Sequence, residues 1–188
     1  MKLLSTFTKL TIFAGILVLL ALLGYAIYGE RAVLKPSPLV GGEAPNFTLR
    51  LFNGDQLTLS ELRGKAVLLN FWASWCGPCK LEAPALDASW RKYRDKPVTF
   101  IGVNVWDDKD SALAYLKQFG GEYINGVDPK GEIAVEFGIG GVPETYFINA
   151  SGKIVDKYTG QLSEEIIDYF MEKALSPSGQ DGLSKKAY

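Results

Sequence analysis

The sequence contains no histidine, and its only cysteines are Cys76 and Cys79. A chain without histidine cannot use a Ser-His or Cys-His hydrolase mechanism, and it lacks the imidazole ligands of most zinc and copper sites. Two cysteines separated by two residues cannot cross-link distant parts of a fold, which excludes a framework of structural disulfides. The net charge of −1, with no basic stripe, argues against nucleic-acid binding. These absences narrow the possible chemistry considerably.

The longest apolar run of the chain lies near its amino terminus. No charged residue occurs from Leu10 to Gly29, a length sufficient to cross the hydrocarbon core of a bilayer as a helix. The run predicts a transmembrane anchor over residues 10–29 and a cytoplasmic tail over residues 1–9. A cleaved signal peptide and a buried core helix are the alternatives. The run exceeds the usual length of a signal-peptide core, and the small residues before Glu30 make a poor cleavage site.

The charges that flank this run nearly balance, with Lys2 and Lys9 before it and Arg31 and Lys35 after it. A short amino-terminal tail normally stays in the cytoplasm, which predicts that the rest of the chain lies outside the cytoplasmic membrane. Residues 30–42 are rich in proline and glycine and are predicted to be a tether.

Strand and helix patterns alternate after the tether, and they predict one α/β domain over residues 43–175. Two near-continuous apolar runs predict buried parallel strands at the centre of a sheet, and their ranges are 65–72 and 98–105. Hairpin strands are predicted around Asn53-Gly54, over 145–149 and over 153–158, and a short strand over 123–127. Helices are predicted over 79–93, 111–119, 132–137 and 163–175, followed by a flexible tail over 176–188.

The cysteine pair falls where a predicted buried strand gives way to a predicted helix. The sulfur of Cys76 is therefore expected at a helix amino terminus, where backbone amides and the helix dipole stabilise a thiolate and make it the nucleophile. Cys79 lies one turn further on and suits the resolving thiol. Gly77 and Pro78 fit the first turn of a helix, and Trp75 is expected to shield the pair. Half of a zinc site, or two unreactive core cysteines, is the alternative, although zinc would need two further strong ligands.

The segment FWASWCGPCK, in this strand-to-helix context, resembles the active site of the thioredoxin superfamily, and the match extends through KLEAPAL to Pro143. The amino-terminal anchor, the EAP after the motif, an insertion over about 107–138 and the segment GVPETYFIN resemble the TlpA, ResA and CcmG (DsbE) group. That group comprises membrane-tethered thioredoxin-like proteins of cytochrome c maturation. The resemblance implies a thioredoxin-like fold, with a central mixed β-sheet flanked by helices and an added amino-terminal hairpin.

The resemblance also assigns residues around the cysteine pair. It implies that Pro143 is cis and lies against the pair, so that Val142 and Pro143 form part of a substrate groove. We expect the same groove to include Trp75, Gly77, Pro78 and Glu144. Glu82 matches the active-site glutamate of the family, and our hypothesis is that it tunes the thiol pKa values or moves a proton. The alternative for Glu82 is a solvated helix glutamate. Glu144 also matches the family pattern, whereas Asn70 stands where ordinary thioredoxin carries a buried aspartate.

The function implied by the resemblance is reduction of disulfides in apocytochrome c or its maturation partners, with a membrane thiol-electron carrier as the reductant. No cofactor and no metal are expected. The first alternative is a general extracytoplasmic thiol oxidase or isomerase. A peroxidase would share the fold, but a Thr-x-x-Cys arrangement before Cys76 is missing. A copper metallochaperone is the alternative from another class, and the family that performs this role uses a histidine.

Overall fold

The protein is described here from a computed structural model, which covers residues 2–29 and 37–176. The chain divides after residue 36 into two compact units. Part of the predicted tether, residues 30–36, and nearly all of the predicted tail, residues 177–188, lie outside the described residues.

The amino-terminal unit contains one helix, α1, over Lys2–Gly29. Its side chains are described from Thr8 to Leu23, and all of these are exposed. Among the residues that the structure describes, no helix is both long enough and apolar enough to cross a membrane. The predicted helix is thus present, and the membrane anchor stays a prediction.

The second unit is built on a seven-stranded mixed sheet with the strand order β2-β1-β5-β4-β3-β6-β7. The central strands β3, β4 and β5 are parallel, and the remaining pairs are antiparallel. The strands are β1 Thr48–Leu51, β2 Gln56–Thr58, β3 Ala66–Trp72, β4 Val98–Val105, β5 Ile124–Asp128, β6 Glu144–Ile148 and β7 Ile154–Thr159. The α-helices are α2 Gly77–Tyr93, α3 Lys109–Phe119, α4 Glu132–Glu136 and α5 Glu164–Leu175, and a 3-10 helix covers Leu59–Leu62.

Strand β3 lies in the middle of the core, between β4 and β6, and all seven of its residues are buried. Its side chains alternate between the two faces of the sheet, as a strand requires. Leu69 and Phe71 join the cluster that contains α4 residues, and Leu68 joins the cluster that contains residues of α2 and α5. This burial on both faces is the reason for the near-continuous apolar run in the sequence. The loop that follows β3 therefore starts from a strand that is buried along its whole length.

The domain begins at Ser37, six residues before the predicted start at residue 43. The Ser37 hydroxyl lies 3.1 Å from the Tyr146 hydroxyl, and the Gly41 N–H donates to the carbonyl oxygen of Ile154 at 2.8 Å. Leu39 and Val40 pack against the core, where residues 44 and 47 are also buried. The described part of the predicted tether therefore packs on the domain, because its apolar side chains have core surface to cover.

Two helices begin earlier than the sequence pattern predicts, because capping side chains precede them. Asp108 accepts a hydrogen bond from the Ser111 N–H at 2.9 Å and starts α3 at Lys109. Cys76 is the N-cap of α2, so that helix starts at Gly77 and includes Pro78 in its first turn. Proline is tolerated there, since a first-turn amide has no partner within the helix.

Candidate active site

The cysteine pair lies at the junction of β3 and α2, as the sequence predicts. Cys76 and Cys79 are joined by a disulfide bond, and their side chains are 3% and 0% exposed. The Cys79 N–H donates to the Sγ of Cys76 at 3.1 Å. A sulfur that caps a helix in this way lies at the positive end of the helix dipole. After reduction, this position stabilises the thiolate form of the cysteine. Cys76 is thus placed to be the nucleophile, with Cys79 behind it.

Asp107 fixes the loop that leads into Cys76. Its carboxylate accepts hydrogen bonds from the Ser74 N–H at 2.6 Å, from the Ser74 hydroxyl at 2.9 Å and from the Asn104 amide at 2.8 Å. The predicted shield residue Trp75 is 58% exposed, and its indole N–H donates to the carbonyl oxygen of Trp106 at 3.1 Å. Asp107 carries no local sequence signal of this role, although its position just after a parallel central strand is where site residues of α/β sheets gather.

Tyr115 contacts the cysteine pair from its buried side. Its hydroxyl donates to the carbonyl oxygen of Cys79 at 2.7 Å, and its ring stacks on that of Trp72 with the centroids 4.5 Å apart. Trp72, Tyr115 and both cysteines belong to one buried cluster. The resolving thiol thus lies among apolar side chains on a helix whose first turn is anchored. Sequence reasoning missed this tyrosine, which reads as an ordinary apolar position of an amphipathic helix.

The Val142-Pro143 peptide bond is cis, as the resemblance implies. The Val142 carbonyl oxygen lies 3.5 Å from the Sγ of Cys76. This is a van der Waals contact, because a disulfide sulfur carries no hydrogen to donate. A groove of about 560 Å³ is lined by Pro78, residues 140–144 and residues 159–161. The structure therefore brings Pro78, Val142, Pro143 and Glu144 together along one groove.

Glu82 is fully buried, so the alternative of a solvated helix glutamate is wrong. Its carboxylate accepts hydrogen bonds from the side-chain amide of Asn70 and from the N–H of Leu162, each at 3.0 Å. Burial raises the pKa of Glu82 to about 7, although both hydrogen bonds favour the charged form. Asn70 also donates to the Thr145 hydroxyl at 2.9 Å. A group poised to gain or lose a proton near neutral pH thus lies one helical turn beyond Cys79.

Glu144 is another buried acid, and it lies on the other face of the sheet from Glu82. It is 6% exposed, and its Oε2 lies 2.6 Å from the Nζ of Lys157. Burial alone would lower the pKa of Lys157, but the interactions with Glu144 and Tyr146 together outweigh it and raise that pKa. Unlike Glu82, Glu144 therefore has a fixed cationic partner.

Within residues 2–29 and 37–176, no group of three or more acidic or cysteine side chains is arranged to hold a metal ion. The two sulfurs, which would be the strongest ligands, are bonded to each other. That bond is the group that would take part in exchange between a dithiol and a disulfide.

A redox-active Cys-x-x-Cys pair on a helix that follows the central parallel strand of a mixed sheet, beside a cis-proline groove, defines a thioredoxin-fold protein-disulfide oxidoreductase. Comparison with known proteins agrees with this class. The chain belongs to the AhpC/TSA family, which it matches over residues 40–157.

Individual relatives carry names that refer to the same chemistry. The chain is 36% identical over 164 residues to the thiol-disulfide oxidoreductase ResA of Bacillus subtilis (strain 168), covering 87% of this chain and 92% of that protein. It is 39% identical over 142 residues to the thiol:disulfide interchange protein DsbE of Pseudomonas fluorescens biotype C, covering 74% and 77%. The crystal structure of a thiol:disulfide interchange protein from Chlorobium tepidum TLS superposes with a TM-score of 0.66 at 27% identity, covering 76% and 98%.

Proposed function

We propose that this oxidoreductase is a membrane-anchored reductant that acts outside the cytoplasmic membrane on the haem-attachment cysteines of apocytochrome c or on maturation partners of that protein. The observation that carries the proposal is the capped Cys76 sulfur beside the groove at Val142 and Pro143. The similarity to ResA and DsbE proteins supports it, as does the resemblance to the cytochrome c maturation group.

The exchange runs in two balanced steps. In the reduced protein the Cys76 thiolate attacks one sulfur of the substrate disulfide, forms a mixed disulfide and releases the other substrate sulfur as a thiolate. The Cys79 thiolate then attacks Cys76 Sγ, which releases the second substrate thiolate and forms the disulfide seen in the structure. Two electrons pass from the dithiol to the substrate, and the two substrate thiolates take up two protons.

The groove supports an extended peptide as the substrate. Five of its nine lining residues carry no side chain or only a compact ring, because residues 140, 141 and 160 are glycines and positions 78 and 143 are prolines. Such a surface accepts many side chains while holding the peptide backbone beside Cys76. A pair of cysteines separated by two residues, as in the haem-attachment motif, would present its disulfide in a short turn, because extended chain would hold the two sulfurs too far apart to bond.

Glu82 is proposed to manage protons for the buried thiol. Cys79 must lose its proton before it attacks the mixed disulfide, and it lies in an apolar cluster where a free charge is costly. Asn70 cannot exchange protons, so Glu82, with a pKa of about 7, is the titratable group placed on the same helix one turn away. Replacing Glu82 with glutamine should slow resolution of the mixed disulfide and shift the pH profile of exchange.

The anchor is proposed from the amino-terminal helix. Its described side chains from Thr8 to Leu23 are predominantly apolar and exposed. A bilayer is the environment that would cover such a helix. A reductant outside the cytoplasm also needs a dedicated source of electrons, since oxidation prevails there. A membrane thiol-electron carrier fits that need.

Trapping the mixed disulfide tests the substrate. The Cys79→Ser variant of the full-length protein should accumulate a covalent complex with an oxidised apocytochrome c that carries its Cys-x-x-Cys-His motif. The Cys76→Ser variant is the matched control and should form none. A Cys79→Ser protein that captures unrelated disulfide proteins equally well would instead support the general oxidase or isomerase.

A further inference from the structure

Glu144 and Lys157 form an unusually buried ion pair for this protein. The Oε2 and Nζ atoms are 2.6 Å apart, and the side chains are 8% and 16% exposed. In every other ion pair between described residues, the basic side chain is at least 36% exposed. Removing two charges from water is costly, so we expect a buried ion pair of this kind to have a role other than keeping the protein soluble.

The strand register explains how the two residues meet. Tyr146 on β6 is paired with Lys157 on β7, and Glu144 is paired with Thr159. Glu144 and Lys157 are therefore diagonal neighbours on the same face of the sheet, within reach of a long side chain. The Lys157 ammonium also lies 5.2 Å from the centre of the Tyr146 ring. The ammonium is thus held in place by the carboxylate and by an aromatic face.

The carboxylate of this pair belongs to the wall of the active-site groove. Glu144 lines the groove together with Pro78 and Val142, and the Val142 carbonyl oxygen touches Cys76 Sγ. While Oε2 contacts Lys157, Oε1 points toward Gly140, lying 3.9 Å from where a Cβ would stand on that glycine. Glu144 therefore lies in the same groove wall as Val142, whose carbonyl oxygen touches the Cys76 sulfur.

A carboxylate without a partner in this wall would oppose formation of the Cys76 thiolate, because like charges in a partly dry site repel strongly. We propose that Lys157 is a positioning residue for disulfide exchange, which holds the Glu144 carboxylate in the groove wall and cancels its charge at Cys76. The wall can then offer a carboxylate oxygen to a substrate backbone or side-chain donor without weakening the nucleophile.

Among the described residues, the charged group in contact with Glu144 is Lys157. Lys157 reaches it from the sheet beside the Tyr146 ring, and Cys76 touches Val142 in the same groove wall. Glu82 lies against the opposite face of the sheet, bonded to Asn70. A change in the charge of the pair should therefore act on Cys76 first.

The test measures how fast Cys76 reacts with iodoacetamide in the reduced full-length protein between pH 5 and 9, with the modified cysteine located by mass spectrometry. Lys157→Met leaves a buried carboxylate and should slow alkylation at pH 7 about tenfold, with the thiol titrating at higher pH. Glu144→Gln leaves a buried ammonium and should speed alkylation. The Glu144→Gln/Lys157→Met double variant should return to within about twofold of the wild type, as coupled sites do.

Lys173→Met is the matched control, because it breaks the 2.8 Å ion pair with Asp156 away from the groove and should leave the rate unchanged. Opposite effects of the two single variants confirm the proposal, and Glu144→Gln alone decides the sign if Lys157→Met does not fold. The proposal would be overturned by a Lys157→Met protein that is less stable than the wild type but is alkylated at the wild-type rate. It would also be overturned if the two single variants changed the rate in the same direction.

Discussion

The side-chain amide of Asn70 donates a hydrogen bond to Oε1 of Glu82 at 3.0 Å in the interior of the domain, joining the central strand to the helix that carries both cysteines. Ordinary thioredoxin resembles this chain but carries an aspartate at the strand position. In this chain the titratable group is Glu82 on α2, and the strand position carries Asn70, a neutral hydrogen-bond donor to the Glu82 carboxylate.

Stability should report the ionisation of Glu82. Its pKa in the folded protein, about 7, lies above the ordinary value of 4.5, so between these values the folded state keeps a proton that the unfolded chain has lost. The free energy of unfolding should therefore fall as pH rises from about 4.5 to 7, by up to about 3 kcal/mol. Urea unfolding at a series of pH values measures this slope.

The Glu82→Gln variant should lose that part of the slope and be more stable than the wild type at pH 8. Glu136→Gln, at an exposed position on α4, is the matched control and should retain the wild-type slope. Parallel curves for wild type and Glu82→Gln would contradict the assignment.

Asp107 is predicted to stabilise the loop that carries Cys76. Asp107→Ala removes an acceptor for three donors on Ser74 and Asn104 and should lower the free energy of unfolding by about 2 kcal/mol. It should also slow exchange with a disulfide substrate, since the loop would no longer be fixed. Asp95→Ala, at a side chain that is 91% exposed, serves as the comparison and should change neither quantity measurably. Equal effects of the two substitutions would refute the role.

Tyr115 is predicted to act through one hydrogen bond as well as through packing. Tyr115→Phe keeps the ring stacked on Trp72 but leaves the Cys79 carbonyl oxygen without its donor, which should cost about 1 kcal/mol of stability. Thermal unfolding of the oxidised protein measures this loss. Tyr169→Phe, at a side chain that is 49% exposed, should have little effect. If both variants melt with the wild type, the hydrogen bond contributes nothing.

Much of the fold could be predicted because its signals are local. The apolar runs at 65–72 and 98–105 predict β3 and β4 to within a residue, since strands buried on both faces need apolar side chains throughout. The predicted starts of α2 and α3 are each two residues too late, because Cys76 and Asp108 act as N-caps and begin the helices earlier. The domain start was late because packing of residues 37–42 depends on a surface formed far along the chain.

The functional site, like the fold, could be predicted only in part. Cys76 and Cys79 followed from their spacing and from the strand-to-helix junction, whereas the cis bond at Pro143 came only from the family resemblance. Asp107 bonds to Ser74 and Tyr115 bonds to Cys79, across separations of 33 and 36 residues. The sequence around each residue therefore gives no indication of its partner. Only the assembled sheet and helices bring these groups to the cysteine pair.

The reduction potential of the Cys76–Cys79 pair tests the account most directly. The full-length protein would be equilibrated against dithiothreitol or glutathione buffers while tryptophan fluorescence is followed, because Trp72 packs in the cluster of the two cysteines and Trp75 precedes Cys76. The Cys76→Ser/Cys79→Ser variant should show no transition. A reductant of protein disulfides requires a value near that of thioredoxin, about −270 mV. A value near that of DsbA, about −120 mV, would contradict the account and make the protein an oxidant.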